Sequence, residues 1–520
     1  MDSCERIADL TDRTSQFLLT RSETIAAPGW TVREIGEWRL SHHTALAWTE
    51  IVARDGMALG RFLGTVLTDG GTVPVERIVA PFETADGLDP LILEDFIYSH
   101  GGRWIFFQLD PVRPRVFLDA IGTLALVFDT ETQRAAATTT LLDPHAGFGR
   151  DWLGLEDQPF PIPNHYYPSN LTGRQGFLRL LPNFVLDLEA MTVSRHWPRA
   201  DIPRVETEAE VRECIDVIVT GMKASMKALT SIGEVTISLT AGRDSRMLLA
   251  CCREIVDQIE CFTFDFDTLT GPVDLDVARL LCERHGIVHT TVPIIDVTEA
   301  EEQLYLERTG YPGHPGKVWD FYVATRGCLD LSRYWLVAFS SEVGRAVYWK
   351  KRDVLGGPLD PVDLLGRGGL PPVSKFVEAM RTWIDELEGT DIFVMLDLLA
   401  LEHRGGGWAM AHLHGTAPFR DVIVPYARRS IMEAMMRLPL DYRRNQRMAH
   451  DVIAATWPEL NALPFQRTPG LGGRWRLYRD MTLRPKVLKM MEGVSGLRQS
   501  SRMINALYLA TRRIYRSLRR

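Results

Sequence analysis

Two rhythms of apolar and polar positions divide the chain. From about residue 28 to 190, short alternating runs such as TALAWTEIVA, RFLGTVLTDG, RWIFFQLD, PRVFLDAIG and TLALVFDTETQRAAATTTLL are separated by turns, among them Asp-Gly and Gly-Gly. A period of two with β-branched content predicts antiparallel strands and hairpins, because only one face of each strand meets the core. Strands of this kind bury their apolar faces as the packed sheets of a sandwich. The polar, proline-bearing SRHWPRADIPRVETEAE that follows reads as a linker or domain edge.

Beyond it the period lengthens. The segment VRECIDVIVTGMKASMKALT predicts a helix, followed by the strand EVTISLT, the helix MLLACCREIV, the strand IECFTFDF, the helix DVARLLCERHG and the strand VHTTVPI. Strands alternating with helices imply a parallel sheet. After YWLVAFSSE the pattern turns mostly helical to about residue 460. The expected fold is therefore an α+β antiparallel sandwich over 1–198, then an α/β doubly wound parallel sheet with helical additions over 205–475. A basic helical tail over 476–520 completes the expected layout.

Composition narrows the classes. The 520 residues carry a formal charge of −8, which argues against whole-surface binding to nucleic acid. Seven cysteines, odd in number and without a CxxC pair, indicate neither a disulfide framework nor a zinc site; a reduced, cytoplasmic protein is expected. The start MDSCERIADLTDRTSQ lacks a secretory pattern, and no apolar run is long enough for a membrane span. From Arg474 to Arg520 only Asp480 and Glu492 oppose a dense set of basic residues. That arm reads as a solvated helix, or as a contact for an anionic membrane surface or acidic partner.

The chemistry concentrates in SLTAGRDSRMLLACC, at 238–252. It falls between a strand and a helix, where open parallel sheets bind ligands. Small residues let the backbone approach phosphate, and the helix start supplies N–H donors and a positive end. Asp244 then makes sense as a ligand for Mg²⁺. Read alone, the same residues also fit a plain turn with Asp244 capping the helix.

LTAGRDSR resembles the pyrophosphate-binding loop of the asparagine synthetase family, written S-G-G-x-D-S, with Thr240, Ala241, Gly242, Asp244 and Ser245 on its positions. In the same order, FTFDFDTLTGPVDLDVARLLCERHGIVH resembles the family's next strand, acidic loop and helix. YWLVAFSSEVGRAVYWK resembles the strand ending S-G-E-G-x-D-E. EHRGGGWAMAHLHGTAPFRDVIVPYARRSIMEAMMRLP resembles its helical region, with Arg404 in the arginine slot and His403 in place of aspartate. Upstream, RVFLDAIGTLALVFD and NHYYPSNLTGRQGFLRLLPNFVLDL resemble the end of the family's Ntn-hydrolase-like glutaminase domain. The likeness spans roughly 100 to 470.

The resemblance implies a ligase that activates a carboxylate with ATP as an acyl-adenylate, releasing pyrophosphate, for attack by an amine. Leu239 and Phe264 would offer backbone contacts to adenine, and Ser340 and Ser341 would line the nucleotide. Thr240, Gly242, Asp244 and Ser245 would hold phosphates and Mg²⁺. Glu342 would be the base or orienting group for the amine, or equally a capping carboxylate. The glutaminase needs a cysteine after the initiator methionine; Asp2 stands there, so ammonia or a substrate amine is expected instead, with the sandwich kept as a dimer or substrate-docking surface. Arg345 occupies the slot of a metal-binding aspartate and, like Arg246, could pair with phosphate. Arg467 is the one cation of PFQRTPGLGG, where the family has a lysine. β-Lactam and lasso-peptide macrolactam synthetases resemble this layout too, with carboxylate and amine on one molecule. A noncatalytic scaffold of the same fold is the rival reading.

Other candidates read as structural. His285 and His289 are broken by a glycine, GYPGHPGKVWD lacks Walker spacing, and His42-His43 reads as a surface turn. Asp274 and Asp276 fit helix capping as well as a place near the nucleotide.

Overall fold

The computed structural model describes residues 13–84, 89–110, 113–144, 152–156, 166–265, 271–294, 298–313, 334–416, 421–463 and 465. The alternating runs form two antiparallel sheets. In the six-stranded sheet Phe17–Thr20 lies between Trp38–His43 and Arg134–Ala136. The seven-stranded sheet is built on the long pair Ala58–Leu67 and Gly101–Gln108, and its edge pair Trp48–Val52 with Arg77–Val79 is parallel. His42 and His43 end a buried strand and are not a surface turn. The His42 ring stacks on Trp48 of the other sheet at 5.8 Å, and burial pulls its pKa down.

The segment read as a linker is anchored. Arg195 ends a strand, His196 is buried against Glu94, and Thr207 caps the helix Glu208–Thr230 in a reciprocal capping box with Glu210. The amide of Val205 donates to the Arg437 carbonyl at 2.8 Å.

The second half holds a five-stranded, wholly parallel sheet. In chain order its strands are Val235–Ser238, Ile259–Asp265, Val288–Pro293, Tyr334–Leu336 and Asp421–Ile423, and across the sheet they run third, second, first, fourth, fifth. The first strand is central, so the winding reverses between it and the fourth. A crevice opens beyond the strand ends at such a reversal, because the connections leave in opposite directions. Val235, Thr236 and Ile237 are all buried, as befits a strand covered on both faces. No helix among the described residues is long and apolar enough to cross a membrane.

One contiguous core runs through both halves. Their seam is polar and closely matched. Glu402, with no exposed surface, accepts from Arg195 through both terminal nitrogens (2.7 and 3.0 Å), from Asn183 (2.9 Å) and from the Trp383 indole (2.6 Å). Arg428, 1% exposed, donates to the carbonyls of Leu67, Thr68 and Ser99 and pairs with Asp69.

Candidate functional site

Two loops flank the reversal. The bend after Val235–Ser238 leads into the helix Arg243–Ala250, and the loop after Tyr334–Leu336 leads into the short helical turn Ser341–Arg345. The bend is held by its own side chains. Ser245 Oγ accepts from the Thr240 amide at 3.1 Å and meets Thr240 Oγ1 at 2.9 Å, while Thr240 Oγ1 accepts from the Gly242 amide at 3.0 Å. Asp274, in the first turn of the helix Gly271–His285, accepts from the Ala241 amide at 2.9 Å and so supports the bend. Gly242 is the N-cap of the helix and brings no side chain to cap it, so the positive helix end is left to other partners.

Asp244 sits in the first turn, and Arg345 reaches it from across the crevice. Arg345 Nη2 lies 3.0 Å from Asp244 Oδ2 and 3.6 Å from Glu342 Oε1. Burial pushes the Asp244 carboxyl up to about 6. The Arg345 charge opposes that shift, Glu342 adds to it, and a Ser341 hydrogen bond and Arg243 oppose it more weakly. Ser341 is fully buried, with its hydroxyl 3.0 Å from the Ala338 carbonyl. Ser340 takes a left-handed conformation at φ 68°, turning the chain sharply out of the strand.

Other expected residues fall into supporting places. Leu239 is buried, its amide donating to Phe262 and its carbonyl accepting from Thr263 Oγ1, so both backbone groups are engaged in the sheet. Phe264 is buried beside Phe262 and Trp335. Arg246, expected among the phosphate contacts, instead turns inward. It is fully buried, donates to the carbonyls of Ala241, Leu460 and Leu463, and lies 3.9 Å over the Phe465 ring. It clamps the bend to the last helices and is not placed to meet a ligand. His285 packs on Trp457, and His289 meets Thr263 Oγ1 at 2.9 Å, so the two do not form a metal pair. Arg467, the Gly-Lys stretch beyond Gly313 and the basic tail lie outside the described residues.

A second feature adjoins the bend. Glu342 and Ser340 line a cleft of about 410 Å³, counting its mouth open to solvent, with Phe339, Leu401, Arg404 and Trp408. Three of these come from Leu399–Ala409, an 11-residue π-helix. Such helices are uncommon and are held by their surroundings. Here Glu402 is gripped by the seam, His403 Nδ1 accepts from the Ser169 amide, and Gly406 passes so close to Pro182 that a Cβ would stand 2.4 Å from its Cδ. Sequence reasoning picked out Arg404 and missed Trp408 and Phe339. The π-helical stretch falls in the part of the chain expected to be mostly helical, and nothing local marks those two residues.

The side chains do not suit Mg²⁺. Arg345 already pairs with Asp244, and among the described residues no three His, Cys, Asp or Glu side chains converge. The helix start and the Arg345 guanidinium are the groups of the bend that suit an anion.

No protein-family model and no curated protein matches the chain. Among solved structures it is similar to the glutamine-dependent NAD+ synthetase from Acinetobacter baumannii in complex with ADP, at 13% identity and a TM-score of 0.19. That overlap spans 45% of this chain and 46%, about half, of the synthetase. It is also similar to the U34-tRNA thiolase NcsA from Methanococcus maripaludis with its 4Fe-4S cluster, at 13% identity and a TM-score of 0.19, over 50% of this chain and 82% of the other. Overlaps of this size leave the chemistry to be read from the side chains themselves.

Proposed function

We propose that the protein is an ATP-dependent ligase that forms a carbon–nitrogen bond through an acyl-adenylate. A carboxylate oxygen attacks the α-phosphorus and pyrophosphate leaves. An amine nitrogen then attacks the acyl carbon, loses a proton, and AMP leaves. The observation that carries this reading is the meeting of Asp244 with Ser341, Glu342 and Arg345 across the sheet's reversal, beside the cleft. Thr240, Gly242 and Ser245 shape the bend for phosphate, while Ser340, Leu239 and Phe264 frame the nucleoside end. Glu342, which lines the cleft beside the bend, would take the amine's proton. The sandwich is proposed as a glutaminase-like unit, with ammonia or a substrate amine supplying the nitrogen.

Pyrophosphate release measured across amino acids and short peptides, each with ammonia, with glutamine or alone, tests the reading. Turnover with an acid and an amine but not with glutamine is expected. Release from a single peptide carrying both groups would point to ring closure, which gains from proximity. The pairing of Asp244 with Arg345 favours a second reading, a noncatalytic nucleotide-binding scaffold. Nucleotide binding by calorimetry with no pyrophosphate released from any acid would select it.

A further inference from the structure

We propose that Arg345 replaces the divalent cation at this bend, and that the site takes the phosphates of a nucleotide without a metal. The inference rests on the nucleotide-binding part of the reading above and goes beyond it in naming the counter-charge. Arg345 Nη2 meets both carboxylates, at 3.0 Å on Asp244 and 3.6 Å on Glu342. Its Nε is buried without a hydrogen-bond partner. A buried N–H without an acceptor is unfavourable unless something else satisfies it.

Other arginines in the chain have an unmatched buried Nε, and the contrast with them is informative. Arg195 lies over Phe184, Arg429 over Tyr98 and Arg443 over Trp349, so each presents its plane to an aromatic face. Arg345 has no ring beneath it among the described residues. Its side chain, 33% exposed, stands next to a helix end that no side chain caps. A planar guanidinium with an unmatched Nε beside the start of a helix matches the oxygens of a phosphate. Unlike Mg²⁺, it is covalently fixed to the chain, and the two carboxylates only orient it.

The test is calorimetry of the full chain with ATP and with inorganic pyrophosphate, in EDTA and again with excess Mg²⁺. Binding in EDTA within about threefold of that in Mg²⁺ is expected, with a loss of about tenfold or more in Arg345→Ala. Arg345→Asp should bind only when Mg²⁺ is added, because it restores a pair of carboxylates. Wild-type binding that vanishes in EDTA, or no binding under either condition, overturns the proposal. The ligase reading fails separately: metal-free binding with no pyrophosphate release sinks that reading alone. Turnover strictly dependent on Mg²⁺ sinks this inference alone.

Discussion

The seam between the halves and the bend at the sheet's reversal are both built from carboxylates and arginines, yet they are balanced differently. At the seam, the two oxygens of Glu402 receive four donors, and Arg428 spends its guanidinium on three carbonyls, Ser225 and Asp69. At the bend, a terminal nitrogen of Arg345 serves two acids while its Nε goes unmatched. A buried network whose carboxylate is saturated fixes a structure, even with the Nε of Arg195 left over. One with donors to spare at a solvent-facing crevice is suited to a passing anion. The contrast teaches that arginine content says little until the acceptors are counted.

The largest expected effect breaks the seam. Glu402→Gln leaves Arg195 buried without its carboxylate and should destabilise the protein by about 3–5 kcal/mol, read by chemical denaturation. An unchanged midpoint would mean that the seam does not hold the halves together.

Glu94 gives the same comparison a pH axis. Burial pushes its carboxyl up, but hydrogen bonds from His196 and Arg199 and the Arg429 charge outweigh burial and hold it at about 2, below the usual 4.5. A depressed carboxyl stabilises above its unfolded value and loses that contribution as pH falls toward its folded one. Glu94→Gln should therefore cost roughly 3 kcal/mol at neutral pH, with the gap to wild type narrowing below about pH 4.5 and closing near pH 2. A pH-independent gap would assign the loss to packing.

Gly406→Ala comes next. The added methyl meets Pro182 and must shift the π-helix, for an expected 1–3 kcal/mol or about that size. Amide exchange over 399–409 should rise with it. Smallest in stability is Arg345→Ala, expected within about 1 kcal/mol because the pair is partly exposed. Its large effect should fall on nucleotide affinity, and the reverse pattern would make Arg345 a seam-type residue.

Much of this arrangement was legible in the chain. The alternation of EVTISLT, IECFTFDF and VHTTVPI with helical runs announces a parallel sheet, and small residues between strand and helix mark the bend. What the sequence hid depends on distant partners. Arg246 and Arg345 carry the same group, but the carbonyls of Leu460 and Leu463 close around the first and not the second. His42 and His43 look polar, yet they end the strand WRLSHH, against which the other sheet supplies Trp48. The triple glycine falls in a run expected to be mostly helical, but nothing local shows that Glu402 and Pro182 will hold it as a π-helix.

The position of Val235–Ser238 at the centre of its sheet sets the order in which the crevice comes into being. Val235 aligns with Ile259 on one side and Tyr334 on the other, so a growing chain emerging from the ribosome pairs the near side long before the far side exists. Until the later strand docks, the bend has one wall and Asp244 lacks Arg345. Ligand recognition is therefore expected only once the chain has been made past Arg345, after the antiparallel sheets can already form.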